Sequence, residues 1–167
     1  MLERLWNGWR SSYVSSVGTG DEPDGRSVFS AILASGLPDD ETHVVHRGPK
    51  CFVILNAFPY ATGHSLVLPY RQVGDLEALE PDEATELWAT VTDAVVATKA
   101  AYRPAGLNVG INLGRPAGGS VSEHLHVHVV PRWTGDANFM TAIANTRTLP
   151  ETLVDSAAKL RAHWPLH

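Results

Sequence analysis

The stretch His124-Leu125-His126-Val127-His128-Val129-Val130 alternates imidazole and aliphatic side chains and runs into Pro131. In a β-strand, residues i, i+2 and i+4 share a face. This spacing therefore predicts a strand that projects three imidazoles together and buries Leu125, Val127 and Val129 beneath them. Pro131 is expected to stop it. Imidazoles fill a core poorly in a row, and neighbouring cations disfavour joint protonation, so the arrangement needs a use. On the residues alone four uses are open. The histidines can face solvent without a role, or hold zinc or iron through imidazoles at i and i+2. They can act as nucleophile and acid–base groups at phosphorus, or bind an anion in another way. Glu123 and His64 are the candidates to complete a metal site, but no nearby cluster supplies its missing ligands convincingly. The adjoining loop favours phosphate, because Gly118-Gly119-Ser120 can bring main-chain N–H groups and a hydroxyl close to an anion.

Working outward, residues 106–114 (GLNVGINLG) alternate Leu107, Val109, Ile111 and Leu113 against Asn108, Gly110 and Asn112. That predicts a half-buried strand with a directed polar face. From Pro81 to about Tyr102 the period becomes helical, with Leu87, Val91, Val95 and Thr98 on one side and Trp88 and Ala94 beside them. Pro81 suits the first helical position and Arg103-Pro104 the end. Strands are expected over 42–46, 50–57 and 63–70, the last two joined by a turn containing Pro59 and Gly63. A short helix over 27–36 has Ser27 as N-cap and Gly36 as stop. Residues 2–17 read as an amphipathic helix, 115–123 and 133–139 as loops, and 149–163 as a C-terminal helix. The order gives one α+β domain over 1–167 with a mostly antiparallel sheet.

Composition limits the function. The chain has 167 residues, 44% of them apolar, and a formal net charge of -5. That is enough for one substantial core. An acidic chain without Lys/Arg runs lacks the field that gathers nucleic acid. The lone Cys51 excludes an internal disulfide framework. No apolar run reaches the ~18 residues of a membrane span, and the charged, Trp-bearing start does not read as a signal peptide. A soluble cytoplasmic protein is expected. Lys50, Arg71, Arg115 and Arg132 are the nearby sources of positive charge.

The block HLHVHVV (124–130) resembles the signature of the histidine triad (HIT) superfamily of nucleotidyl hydrolases and transferases. The likeness extends over residues 27–139. KCFVILNAFPYATGHSLVLPY is similar to that family's nucleotide-binding hairpin, and INLGRPAGGSVSEHLHVHVVPRW to its catalytic half. LERLW, LNxxPYxxGH, NLG, AGGS and GDANF resemble the branch that phosphorolyses diadenosine tetraphosphate. The resemblance implies a HIT-like fold with a five-stranded, mostly antiparallel sheet, one long helix, short N-terminal helices and a C-terminal helix. It also implies a homodimer with a joined sheet, and cleavage of a dinucleoside polyphosphate by inorganic phosphate. Hydrolysis by the same histidines and a catalytically inactive nucleotide-binding regulator are the alternatives.

By position, the resemblance makes His126 the nucleophile and His128 the group that contacts the reacting phosphate and assists the leaving group. His124 orients the nucleophile, and His64 is the fourth histidine of the site. Asn56 contacts ribose, Asn112 touches the α-phosphate, and Gly119 and Ser120 line the polyphosphate path. Trp133 borders the phosphate channel. Magnesium can accompany the polyphosphate, but no acidic cluster reads as a dedicated site, and no cofactor is required.

Two departures from the family pattern matter. Many relatives carry Cys-x-x-Cys at the short helix as part of a structural zinc site, whereas this chain has Ser27-Val28-Phe29-Ser30, so no structural zinc is expected. Gly119-Ser120 stands where many hydrolases have Gln before Ser or Thr, which leaves room for a second anion and favours phosphorolysis.

Overall fold

Runs of β-branched and aliphatic side chains build the middle of the sheet. The computed structural model describes residues 25–136 and 149–166. The helix expected over 2–17 and residues 137–139 of the second loop lie outside the described residues. Strand β2 (Cys51–Leu55) pairs antiparallel with β3 (Ser65–Pro69), in register from Cys51↔Pro69 to Leu55↔Ser65, and every residue of both is buried. Strands β1 (Val44–Arg47), β4 (Gly106–Ile111) and β5 (Val127–Arg132) complete a five-stranded sheet in the order β1-β2-β3-β5-β4. Every pairing is antiparallel.

Among the described residues four α-helices accompany the sheet: α1 (Val28–Ala34), α2 (Asp39–Thr42), α3 (Pro81–Tyr102) and α4 (Leu153–Ala162). Ser27 caps α1 by accepting from the Ser30 N–H, as expected. Helix α3 has the expected bounds. Pro81 opens it, Glu80 and Glu83 form a reciprocal capping box, and Arg103 closes it in a left-handed conformation (φ 45°). Its Leu87, Val91, Ala94 and Ala97 pack on Val53, Leu55, Val67, Leu125, Val127 and Val129. Trp88 instead stays half exposed on the outer side. Helix α4 starts later than expected, at a Thr152 N-cap. It adds Ala157 and Leu160 to the same core, and its Arg161 holds the Val44 carbonyl.

The strand ends required correction. Strand β5 begins at Val127, so His124 and His126 precede the ladder. At the preceding residues other bonds replace it: the His124 imidazole occupies the Pro69 carbonyl and the Leu125 N–H donates to Val73 O. Pro131 does not stop β5, which continues to Arg132. β3 pairs only with Val127–Val129, so beyond them β5 has β4 as its one neighbour. Proline's missing donor is tolerated at such an edge. Strand β4 ends at Ile111 rather than 114. It is an outer strand with Leu107 and Ile111 turned to the core and Val109 exposed. The first strand is Val44–Arg47 rather than 42–46, because the one-turn α2, which the sequence pattern did not reveal, takes Thr42.

Candidate active site

Opposite α3, the sheet carries a second apolar cluster of Phe52, Ile54, Leu66 and Leu68 with Phe29 of α1. His128 stands opposite Leu66 and therefore on this face. The β2–β3 hairpin supplies two more site residues at its open end. The Asn56 N–H donates to His64 O, extending the ladder by one pair beyond Leu55↔Ser65. The connecting loop then folds back over that pair. Phe58 N–H donates to Asn56 Oδ1 (3.0 Å) and Tyr60 N–H to His64 Nδ1 (3.0 Å). Gly63 permits this path: its φ is +78°, and a Cβ there would lie 2.5 Å from the Tyr102 ring.

These main-chain bonds fix where the imidazole protons sit. His64 Nδ1 accepts from Tyr60, so the neutral ring carries its proton on Nε2 and donates it to His128 Nδ1, 2.9 Å away. Neutral His128 then holds its own proton on Nε2, so the Asn112 carboxamide, 3.4 Å away, meets that N–H with its oxygen, the end of the amide that accepts. His126 Nδ1 donates to the carbonyl of His124 (2.8 Å), leaving the lone pair on Nε2. His124 Nε2 donates to Pro69 O (2.8 Å), and its Nδ1 accepts from the Ser27 hydroxyl (2.6 Å). One ring thus presents a lone pair and its neighbour an N–H. The His126 and His128 ring centres are 4.9 Å apart.

Burial keeps the rings neutral. It pushes His126 below its ordinary value, against the opposing pull of the His124 carbonyl and Glu123. His124 is lowered for the same first reason. His128, buried and facing the charge of a protonated His126, falls from 6.5 to about 4. At neutral pH the site therefore offers a neutral nucleophile and neutral donors.

The structure brings His64, Asn56, His124, His126, His128 and Asn112 into one chain of contacts. Gly119 is buried in the neighbouring loop, where a Cβ would come within 3.2 Å of both Asn112 O and Gly114 O. A side chain there would press on the segment that holds Asn112. Ser120 follows it, half-buried. Trp133 lies edge-on to Tyr102 of α3, at 6.4 Å between ring centres. Three of the four candidate cations are engaged elsewhere: Lys50 with Asp82, Arg71 with Glu83 and Arg132 with Asp136.

Sequence reasoning missed two contributors, Tyr60 and Gln72. Tyr60 sets the His64 tautomer and stacks on His128 at 5.8 Å; Phe29 packs against the His124 and His126 rings, each at 5.6 Å. Gln72 accepts from the Ser27 N–H and the Ser30 hydroxyl. Tyr60 lies inside the quoted LNxxPYxxGH block, which was the available signal; Gln72 had none. Around His124 the side chains are Ser27, Ser30 and Gln72, three neutral oxygen donors already bonded to one another and to the protein. Such a set is a poor match to zinc, which takes thiolate, imidazole and carboxylate ligands. Among the described residues, no group of three or more His, Cys, Asp or Glu is placed to hold a metal ion.

A HIT domain profile matches residues 38–135. An AP-4-A phosphorylase from Mycobacterium tuberculosis is 43% identical over 166 residues, covering 98% of this chain and 85% of that protein. A Zn-bound histidine triad family protein from Mycobacterium smegmatis superposes with a TM-score of 0.66 at 30% identity, covering 81% of this chain and 91% of that one. An asymmetrical bis(5'-nucleosyl)-tetraphosphatase from Schizosaccharomyces pombe is 34% identical over 95 residues, 57% of this chain and 52% of that protein. The fold and the histidine cluster define a HIT-domain protein, and this chain belongs to that family. Its likeness to the mycobacterial phosphorylase runs over nearly its whole length.

Proposed function

We propose that the protein is a nucleotidyltransferase that phosphorolyses diadenosine 5',5'''-P1,P4-tetraphosphate to ATP and ADP. The observation that carries the reading is the tautomer pattern of the histidine cluster, within a chain 43% identical to an AP-4-A phosphorylase. His126 Nε2 attacks the α-phosphorus, forming an N–P bond while the P–O bond to ATP breaks. Inorganic phosphate then attacks the same phosphorus, the N–P bond breaks, and ADP leaves. Splitting the displacement in two replaces one difficult step by two easier ones. His128 Nε2–H faces the reacting phosphate beside Asn112 and supplies the hydrogen bond that the leaving oxygen needs. His124 holds His126 from behind. Asn56, its Oδ1 taken by Phe58 and its amide nitrogen 3.4 Å from His64 Nδ1, keeps its second amide hydrogen for the nucleotide. The Gly119 N–H is taken by Gly114 O, so Ser120, half-buried beside it, is the residue of this loop that offers donors to the second anion.

The reading includes a homodimer in the cytoplasm. Among the described residues no strand pairs with the outer edge of β4, where Val109 is exposed, and Trp88 and Val96 are exposed on α3, which suits a second copy continuing the sheet. It includes no structural zinc, since the donors around His124 do not suit that ion. Magnesium enters only with the polyphosphate.

The test is incubation with diadenosine tetraphosphate, with and without inorganic phosphate, and identification of the products. ATP and ADP are expected, and only when phosphate is present. AMP and ATP without phosphate would establish hydrolysis instead; tight nucleotide binding with no products would indicate a regulator.

A further inference from the structure

We propose that Ser27 is a positioning residue for the nucleophile, acting through His124, and that Gln72 holds Ser27 in place. The idea rests on the phosphorolysis reading for its kinetic test but not for its spectroscopic one. Ser27 is fully buried, as is His124, and the two are 97 positions apart in the chain. The Ser27 hydroxyl meets His124 Nδ1 at 2.6 Å, while the other ring nitrogen is held by Pro69 O at 2.8 Å. The ring is thereby fixed at both nitrogens, by groups that do not titrate near neutral pH. That ring does not face the reaction. Its residue contributes the main-chain carbonyl that takes the His126 Nδ1 proton. The line of contact therefore runs Gln72, Ser27, His124 ring, His124 carbonyl, His126 Nδ1.

Each link has a geometric reason. Gln72 Oε1 accepts from Ser27 N–H at 2.7 Å and from Ser30 Oγ at 3.2 Å, while its amide donates to Gly25 O at 3.1 Å. These bonds dock the start of α1 beside the histidine loop. His124 and His126 precede β5 and lack the strand ladder that fixes His128. Without a ladder, the His124 carbonyl is aimed by two anchors: the Leu125 N–H of the same planar peptide, which donates to Val73 O, and the His124 ring, held at both nitrogens. A nucleophile needs its lone pair aimed within narrow limits, and misplacement by about 1 Å can cost about a hundredfold in rate.

Ser27 also caps α1, so a stability role must be separated from a positioning one. Glycine replaces a serine cap with less loss of stability than alanine does. Both remove the hydroxyl. The experiment compares Ser27→Gly, Ser27→Ala and Gln72→Leu with the parent protein for kcat, KM and Tm, using diadenosine tetraphosphate and phosphate. The two Ser27 variants should lose kcat alike, by roughly 10- to 100-fold, with KM changed less than about threefold and Tm lower for alanine than for glycine. Gln72→Leu should lower kcat in the same direction by less. Near-normal kcat in Ser27→Gly, or kcat that simply follows Tm across the series, would overturn the proposal.

Ring nitrogen NMR without substrate tests the same point whether or not the activity is as proposed. The parent should show His126 protonated at Nδ1 with a slowly exchanging proton. In Ser27→Gly that proton should exchange at least about tenfold faster; an unchanged His126 signal would overturn the proposal. If the parent protein shows no phosphorolysis, the proposed function fails while this measurement still decides the role of Ser27.

Discussion

The two faces of the sheet are made from the same strands and obey opposite rules. Toward α3, Val53, Leu55, Val67, Leu125, Val127 and Val129 close an aliphatic core in which packing alone fixes each side chain. On the other face, Phe29, Phe52, Leu66 and Leu68 give way to His64, His126 and His128, which are equally buried but fixed by hydrogen bonds. Alternation along β5 and the residues before it places Val127 on one side and His128 on the other. An aliphatic side chain has close contact to keep but no single partner to lose, because dispersion is not directional. An imidazole that shifts loses both its partner and its tautomer. The faces should therefore fail differently when disturbed.

The largest effect is expected on the histidine face. His126→Ala should lower turnover of diadenosine tetraphosphate by about ten-thousand-fold or more, while circular dichroism and Tm stay near those of the parent. Turnover retained in that variant would remove the covalent intermediate. On the aliphatic face, Leu87→Ala should show the reverse. Leu87 is fully buried against the sheet, and its truncation should cost about 3 kcal/mol of stability with kcat per folded molecule changed by less than about twofold. Denaturant unfolding and active-site titration measure the two quantities. Loss of kcat without loss of stability would mean that the faces are not separable.

The smallest effect sharpens the contrast through pH. His128 titrates near 6.5 when unfolded but at about 4 when folded, and His124 and His126 are also lowered. Between those values the unfolded chain binds more protons than the native one, so stability falls as pH falls. The contribution is complete above about 6.5 and is lost progressively down to about 4. Tm should decline across this window, and the decline should be shallower in His128→Asn. Below it a second loss begins, as Glu83, held below the usual carboxylate range by Arg71, becomes protonated. A flat Tm from pH 7 to 5 would show that the rings are not buried neutral.

Which parts of this were legible beforehand follows from how local each cause is. Helix α3 was read to its ends because Pro81, the Glu80/Glu83 box and Arg103-Pro104 act within a turn of each boundary. The β2–β3 hairpin was legible for the same reason. The edges of β4 and β5 were not. Pro131 breaks a strand with two neighbours but is tolerated where one side is open, and strand order is a property of the whole sheet. His124 was expected beside its fellows in a strand, and instead its ring bonds Pro69 and Ser27, residues distant in sequence.

The sequence by itself determined the alternation that sorts imidazoles from aliphatics, the bounds of α3, the family likeness and the set of histidines that matter. Only the tertiary structure decided which nitrogen of each imidazole carries the proton. That choice depends on carbonyls and N–H groups of Tyr60, Pro69 and His124 meeting rings through the fold. A residue pattern can say that imidazoles gather, but a tautomer is set by the partner at each ring nitrogen.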